Sequence, residues 1–183
     1  MSIAAQAMLY PTDEVIVVGT EEFLNKVEPP RPDEIKAKIK IHLIATPGGD
    51  WGNLERATGI TRAEADYIMY CDDDDALLPS AVANVKRAVH QNPGRPHMFR
   101  MIDPNGAILW QVPELKVSNQ GTPCFVFPNN GKIGMWPPGI YEGDFHFMES
   151  TIAQYPPNSL VWDTSIICGC RSFGDWPTGT MKL

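Results

Sequence analysis

Four consecutive carboxylates, Asp72 to Asp75, directly follow an apolar run at residues 67–71 (YIMYC). Two carboxylates held about 4 Å apart repel each other by roughly 4 kcal/mol at an effective dielectric constant near 20. Such a run at the edge of a core is costly unless a cation neutralises it. Magnesium is typically held by one or two carboxylates together with substrate phosphates. The aspartate run (Asp72 to Asp75) therefore predicts a metal-dependent site for a phosphorylated ligand, and a solvated acidic loop is the alternative.

The elements that must position this run predict an α/β fold. Strands are predicted from β-branched or alternating apolar residues at residues 14–18, 39–44 and 67–71. Helices are predicted at residues 21–27, 53–65 and 79–91. Asn53 is the predicted N-cap of the second helix. This alternation predicts a mostly parallel sheet flanked by helices, in which ligands bind beyond the carboxyl ends of the strands.

The pattern changes in the second half of the chain, where most of the 17 prolines and 15 glycines lie. A β-hairpin is predicted at residues 97–110, because a turn sequence (DPNG) separates two apolar runs. Further elements are predicted as a strand at 124–127, a helix at 144–154 and a strand within 160–170. We expect one domain over residues 1–183, with a nucleotide and metal half at 1–95 and a loop-rich acceptor half at 96–183.

Composition excludes several classes of protein. The net charge of −7 argues against a nucleic-acid-binding groove. No apolar stretch approaches the length of a transmembrane helix, and the N-terminus lacks the basic region of a signal peptide. The four cysteines form no CxxC pair and are expected to be free and buried. Free thiols fit a reducing compartment, so a cytoplasmic location is predicted.

Residues 48–75 (GGDWGNLERATGITRAEADYIMYCDDDD) resemble the centre of the family 2 glycosyltransferases, which have the GT-A fold. That family carries a glycine loop, an Ala-Arg-Asn-x-Gly segment, a Tyr-Ile strand and an Asp-x-Asp-Asp motif. The positions in register are Arg56, Gly59, Ala63, Tyr67, Ile68, Asp72, Asp74 and Asp75. Weaker similarity extends to residues 2–18 and to residues 135–147 (MWPPGIYEGDFHF), which resemble the acceptor-side segment of the family.

The resemblance implies a GT-A-like fold and a specific activity. The expected reaction is the metal-dependent transfer of a sugar, with inversion, from a nucleotide-diphosphate donor to a hydroxyl acceptor. The chain departs from the family in three places. The first strand of the family would precede Ser2, Gly19-Thr20 stand where aspartates hold the nucleotide base, and Ala57 replaces an asparagine. The alternative function is therefore a truncated or degenerate GT-A-fold protein that binds nucleotide sugars without turnover.

The resemblance also implies roles for residues on the donor side. Asp74 and Asp72 would hold Mn²⁺ or Mg²⁺. Asp72 and Asp73 are candidates for binding the donor, and Asp72 could contact the nucleotide sugar. Arg56 and Arg171 are candidates for the donor diphosphate, since arginine binds phosphate bidentately. For Arg56 the alternative, which we favour, is an ion pair with the aspartate run.

Acidic and aromatic residues provide the candidates on the acceptor side. Asp144 is the expected general base for an acceptor hydroxyl, and Glu142 is the alternative base. Asp144 could instead be a carboxylate that stabilises the N-terminus of a helix. Trp51 and Trp136 could stack on a sugar or a base, or could cover the edge of the core.

Two other functional classes are weighed from the sequence. A nucleotidyltransferase would need a glycine-rich, basic phosphate loop near the N-terminus, and none is present in residues 1–30. A calcium-binding structural domain would use the aspartate run without a nucleotide. The oligomeric state is undetermined, and a homo-oligomer is allowed.

Overall fold

The computed structural model describes residues 10–26, 40–103 and 105–170. Strands and helices are interspersed along these residues and confirm the predicted α/β class. The strands are β1 (Glu14–Gly19), β2 (Lys40–Ala45), β3 (Tyr67–Met69), β4 (Asp75–Leu77), β5 (His97–Ile102), β6 (Ile108–Leu109), β7 (Phe125–Pro128) and β8 (Val161–Cys170). The helices are α1 (Glu21–Leu24), α2 (Asn53–Ile60), α3 (Ala81–Gln91) and α4 (Gly143–Ile152). Arg171 and the weak similarity at residues 2–9 lie outside the described residues.

The strands form two separate sheets within the described part of the chain. β1 and β2 are a parallel pair, and the larger sheet has the order β3-β7-β5-β8-β4, with β6 paired to β5. In the larger sheet β5 and β8 run parallel, whereas the other described pairs are antiparallel. The prediction of a mostly parallel sheet was therefore wrong for this sheet. Parallel strands need a long crossover, usually a helix, and several strands of the second half are joined by loops.

The buried core lies between the larger sheet and the helices α3 and α4. Its largest fully buried side chains include Phe99 on β5, Phe125 and Phe127 on β7, Phe147 on α4 and Ile167 on β8. Among the described residues, every buried apolar side chain lies at or beyond Leu77. The valine-rich strand β1, predicted to be buried on both faces, is half-buried over most of its length.

Several elements end earlier than their patterns predicted. α2 ends at Ile60 rather than near residue 65, because Thr58, Gly59 and Thr61 are poor helix formers. Asn53 was predicted as the cap of this helix, but the cap position is Gly52 and Asn53 is the first helical residue. The apolar run at 67–71 forms a strand over its first three residues.

The four cysteines are free, as predicted. Cys124 and Cys168 are buried and Cys170 is half-buried, but Cys71 is exposed because β3 ends two residues before it. Burial raises the pKa of the Cys124 thiol to about 12. Across the described residues, no helix combines the length and apolar character needed to cross a membrane.

Candidate functional site

The aspartate run forms the connection between β3 and β4. Asp72 is half-buried in the irregular segment after β3, whereas Asp73 and Asp74 are exposed in a turn. The backbone N–H of Asp75 donates to the Asp72 carbonyl at 3.1 Å and closes this turn. Asp75 then begins β4 and pairs with Cys170 of β8. The run therefore links two strands of one sheet: it begins three residues after β3 ends, and its last residue begins β4.

The carboxyl groups of the run disfavour one another's ionisation. Burial, with a further contribution from the Asp72 charge, raises the pKa of Asp75 to about 7. Burial and the charges of Asp72 and Asp73 also raise the pKa of Asp74. A carboxyl group with a raised pKa is a group whose charged form is poorly compensated. Burial is the larger cause of both shifts, and the neighbouring carboxylate charges add to it.

The number of metal-binding side chains limits the kind of ion that fits. Among the residues that the structure describes, no group of three or more His, Cys, Asp or Glu side chains could hold a metal ion. Calcium takes backbone carbonyls and water as ligands besides carboxylates, so the calcium-binding alternative stays a prediction. Two carboxylates do suit an ion that takes its remaining ligands from substrate phosphates and water.

Arg56 joins the aspartate run to the glycine-rich loop at residues 46–52. Its Nη2 and Nε lie 2.7 and 3.2 Å from Oδ1 of Asp72, and its Nη1 donates to the Trp51 carbonyl at 2.9 Å. The guanidinium also lies over the Trp136 ring, 5.1 Å from its centroid. The ion pair that we favoured over a phosphate contact is thus present. A phosphate role for Arg56 remains a prediction, because a phosphate would have to share the guanidinium with Asp72.

Aromatic side chains form the floor beneath Arg56. The Trp136 ring stacks on Phe147 at 4.4 Å, and its Nε1 donates to the hydroxyl of Tyr70 at 3.0 Å. Burial raises the pKa of the Tyr70 hydroxyl well above its usual value. Trp136 is 6% exposed, so it is a core residue and not a surface for stacking a sugar. Of the two interpretations offered for this tryptophan, core cover is the one that the structure supports.

Asp144 lies at the start of α4, close enough to the aspartate run to feel its charge. Its side chain is half-buried and accepts the Phe145 backbone N–H at 2.7 Å. Burial raises the pKa of Asp144, the Asp72 charge adds to the rise, and Arg56 opposes it. A carboxyl group with a raised pKa suits proton transfer. The same position near the helix N-terminus also satisfies the alternative structural role, so the base role of Asp144 remains a prediction.

Glu142 and two polar residues of α4 are exposed. Glu142 occupies the N-cap position of α4, where its side chain makes no capping hydrogen bond. His146 and Glu149 lie on the exposed side of α4, with His146 Nδ1 and Glu149 Oε2 4.0 Å apart. Glu142 is therefore free to face a substrate, but the structure holds Asp144 in a more defined position.

Asn53 is a positioning residue that the sequence analysis misjudged. Its side chain is 2% exposed, and its Nδ2 donates to the carbonyls of Pro137 and Ile140 at 3.1 and 2.9 Å. Gly143 packs so closely on the Asn53 side chain that a Cβ at that position would overlap it. α2 thus anchors the loop that carries Glu142 and leads into Asp144.

A second contact holds the same two loops together in a strained conformation. The Gly139 backbone N–H donates to Oδ1 of Asp50. Asp50 and Trp51 both have positive φ, at 59° and 55°. Such backbone conformations cost about 1–3 kcal/mol for each non-glycine residue and are typical of functional sites. Beside this contact the Trp51 ring meets Tyr141 edge-to-face, with centroids 5.2 Å apart. The sequence analysis singled out Trp51 but missed Tyr141, although it lies within the acceptor-side segment.

Comparison with known proteins identifies the fold. No family model and no curated protein matches the sequence. Among solved structures, a 1–349 fragment of S. aureus TarS, a glycosyltransferase, superposes with a TM-score of 0.68 at 17% identity. The chain therefore shares the fold of the superposed part of this fragment. That superposition covers 93% of this chain and 54% of the TarS fragment, so the chain spans about half the length of its neighbour.

Two further structures of the same neighbour contain ligands. The complex of TarS with UDP superposes with a TM-score of 0.67 at 15% identity over 93% of this chain and 54% of that one. The complex with UDP-GlcNAc has a TM-score of 0.68 at 15% identity over 96% and 54%. At this identity the likeness establishes the fold, and the family 2 assignment remains an interpretation of residues 48–75.

Proposed function

We propose that this chain is a glycosyltransferase that moves a sugar from a nucleotide-diphosphate donor to a hydroxyl acceptor. The observation that carries the proposal is the Arg56–Asp72 ion pair, which lies beside the helix that carries Asp144 in its first turn. The Arg56 guanidinium covers the Trp136 ring, and that ring stacks on Phe147 of α4. The presence of UDP and UDP-GlcNAc in the structures of TarS supports a nucleotide sugar as the donor.

In the proposed reaction the chain binds donor and acceptor side by side. The acceptor oxygen attacks the anomeric carbon of the donor sugar, the bond from that carbon to the diphosphate oxygen breaks, and configuration is inverted. The acceptor proton passes to the Asp144 carboxylate, or to Glu142 if that residue is the base. Arg56 orients the loop at residues 46–52 through the Trp51 carbonyl, and it offers positive charge beside the diphosphate.

The proposal includes a divalent cation, Mn²⁺ or Mg²⁺, at the aspartate run. Asp74 and Asp72 would hold it, and Asp73 would contribute to the negative charge of the turn. When bound, the ion supplies charge neutralisation for the departing diphosphate. The raised pKa of Asp74 and Asp75 supports this assignment, because uncompensated carboxylates attract a cation.

A protein that binds nucleotide sugars without turnover is the second candidate. Two observations favour it. The end of β1 offers Gly19 and Thr20 in place of the expected aspartates, and the side chain of Thr20 is already used to accept the Phe23 backbone N–H at 3.1 Å. Arg56 is likewise engaged by Asp72, so neither group is free for a donor in this conformation.

Calorimetry with UDP, in the presence and absence of Mn²⁺, tests nucleotide binding, which both candidate functions require. We expect UDP to bind in the presence of Mn²⁺, and we expect Asp74→Asn to weaken that binding at least tenfold. The matched control is Asp66→Asn, which alters an exposed aspartate at the other end of β3. Absence of UDP binding to the folded protein, with or without Mn²⁺, would contradict the proposal.

Release of UDP from UDP-GlcNAc then separates the enzyme from the binding protein. A transferase releases UDP, slowly to water and faster with an acceptor, whereas the binding protein retains an intact donor. Asp144→Asn should lower acceptor-stimulated release by about 10²–10⁴ while leaving the UDP affinity unchanged. Intact UDP-GlcNAc after prolonged incubation with Mn²⁺ and a range of acceptors would favour the binding protein.

A further inference from the structure

Two large aromatic side chains lie exposed and in mutual contact at the rim of the candidate site. Trp51 is 66% exposed and Tyr141 is 72% exposed, and their rings meet edge-to-face at 5.2 Å with an interplanar angle of 85°. They come from the two loops at residues 46–52 and 137–142, on opposite halves of the chain. Neither ring contributes to the buried core. We refer to Trp51 and Tyr141 as the rim aromatic pair.

The backbone beneath the rim aromatic pair is held by several independent contacts. Arg56 donates to the Trp51 carbonyl at 2.9 Å, and the Asp50 carboxylate accepts the Gly139 backbone N–H. Asn53 fixes the second loop through its bonds to two carbonyls, at Pro137 and Ile140. Trp51 also adopts a φ of 55°, which a tryptophan rarely does without compensation. These hydrogen bonds and the strained backbone of Trp51 fix the positions of both rings, which a chance contact between surface side chains would not require.

The rim aromatic pair lies near both the donor side of the site and the proposed general base. The Arg56 guanidinium donates hydrogen bonds to both the Trp51 carbonyl and the Asp72 carboxylate, so a single side chain links the pair to the donor side. Tyr141 directly precedes Glu142 and lies three residues before Asp144. A molecule lying across the two rings would therefore have one end close to the proposed base and to the donor side.

We propose that the rim aromatic pair is the acceptor platform, which receives the apolar face of a neutral sugar ring. This inference rests on the proposed function and names the class of its acceptor. The face of an aromatic ring is electron-rich, and it attracts the weakly positive C–H groups that line one face of a sugar. The carboxylates of Glu142 and Asp144 beside it can accept hydrogen bonds from hydroxyl groups.

The charge around the platform favours a neutral acceptor over an anionic one. Asp50 and Glu142 lie on the same loops as the rings, Asp144 lies in the first turn of α4, and the chain as a whole carries a net charge of −7. The cation nearest to Trp51, Arg56, is already paired with Asp72. A phosphorylated or carboxylated acceptor would be repelled by these groups, whereas a neutral oligosaccharide would not. A purine or pyrimidine base of the donor is the competing occupant, since bases also stack on aromatic rings.

Tyr141→Ala is the informative variant, because it removes an exposed ring that carries no core packing. Tyr141→Phe retains the ring, and Val112→Ala is a control for the loss of an exposed apolar side chain elsewhere. The probes are chitotetraose, cellotetraose and maltotetraose, with binding followed by quenching of tryptophan fluorescence. UDP affinity in the presence of Mn²⁺ is measured by calorimetry on the same samples, and the unfolding midpoint confirms that each variant is folded.

We expect at least one tetrasaccharide to bind the wild-type protein, and Tyr141→Ala to weaken that binding at least tenfold with UDP affinity changed less than twofold. Tyr141→Phe and Val112→Ala should bind the saccharide as the wild type does. A loss of UDP affinity in Tyr141→Ala would overturn the platform in favour of base stacking. Wild-type protein that binds UDP but none of the saccharides, or unchanged saccharide binding in Tyr141→Ala, would also overturn it while leaving the proposed function intact. Failure of the wild type to bind UDP would instead contradict the proposed function.

Discussion

Replacement of Asp75 by asparagine tests the electrostatic account of the aspartate run. The pKa of Asp75 is raised from 3.8 to about 7, chiefly by burial. The folded protein therefore holds this proton more tightly than the unfolded chain does. The carboxyl group costs no stability below pH 3.8, destabilises the fold increasingly as the pH rises towards 7, and imposes its full penalty above that. Asp75→Asn removes an ionisable group of almost the same size, so it should stabilise the metal-free protein at high pH.

The magnitude follows from the difference between the two pKa values. At 1.36 kcal/mol for each unit, the full penalty would be about 4 kcal/mol. Asp75 is only half-buried and solvent screens its charge, so we expect roughly half of this, about 2 kcal/mol, at pH 8.5. At pH 5 the group is mostly protonated in the folded state, and the gain should fall to about a third of its value at pH 8.5.

Urea unfolding of wild type and Asp75→Asn at pH 5 and pH 8.5, without divalent ions, measures both gains. Asp73→Asn is the matched control, because it removes one charge from the same run at an exposed position. We expect its effect to stay within about 0.5 kcal/mol, as for most surface substitutions. Equal stabilisation by Asp75→Asn at the two pH values, or destabilisation at pH 8.5, would refute the electrostatic account.

Three further substitutions have definite expected outcomes. Asp144→Asn should lower kcat for sugar transfer by about 10²–10⁴, the usual contribution of a general base, when measured by release of UDP. Asn53→Ala should lower the free energy of unfolding by about 1–3 kcal/mol in urea, because two carbonyls within residues 137–140 lose their donor. Trp136→Phe removes the indole N–H bonded to Tyr70, and a loss of about 1 kcal/mol is expected in the same measurement.

The sequence predicted those parts of the fold that depend on local periodicity. The β-branched residues of β1 and the apolar stripe of α3 specify a strand and a helix wherever they lie, and both elements form within two residues of their predicted bounds. Strand pairing was harder, because it is decided between distant segments. The parallel pairing of His97 with Val161 joins strands 64 residues apart, and no local pattern indicates it.

In the candidate site, too, the sequence predicted what local patterns decide and missed the contacts between distant segments. The sequence analysis favoured an ion pair between Arg56 and the aspartate run, and the pair forms with Asp72. Asn53 was interpreted as a helix cap because asparagine before an apolar stripe favours that role locally. Its side chain instead finds acceptors 84 and 87 residues further along the chain. A single sequence does not reveal such distant partners, nor the packing of Gly143 against them.

The division of the chain into two sheets implies an uneven resistance to local unfolding. Residues 10–26 and 40–76 supply none of the fully buried apolar side chains of the described structure. Segments with few buried apolar contacts open at a lower free energy than the core, so their amide hydrogens exchange sooner. If these residues bind the donor as proposed, the bound nucleotide would stabilise them. A ligand at one hundred times its Kd adds about 2.7 kcal/mol to the stability of the state that binds it. Donor binding and the ordering of β1 and β2 would then be two aspects of the same equilibrium.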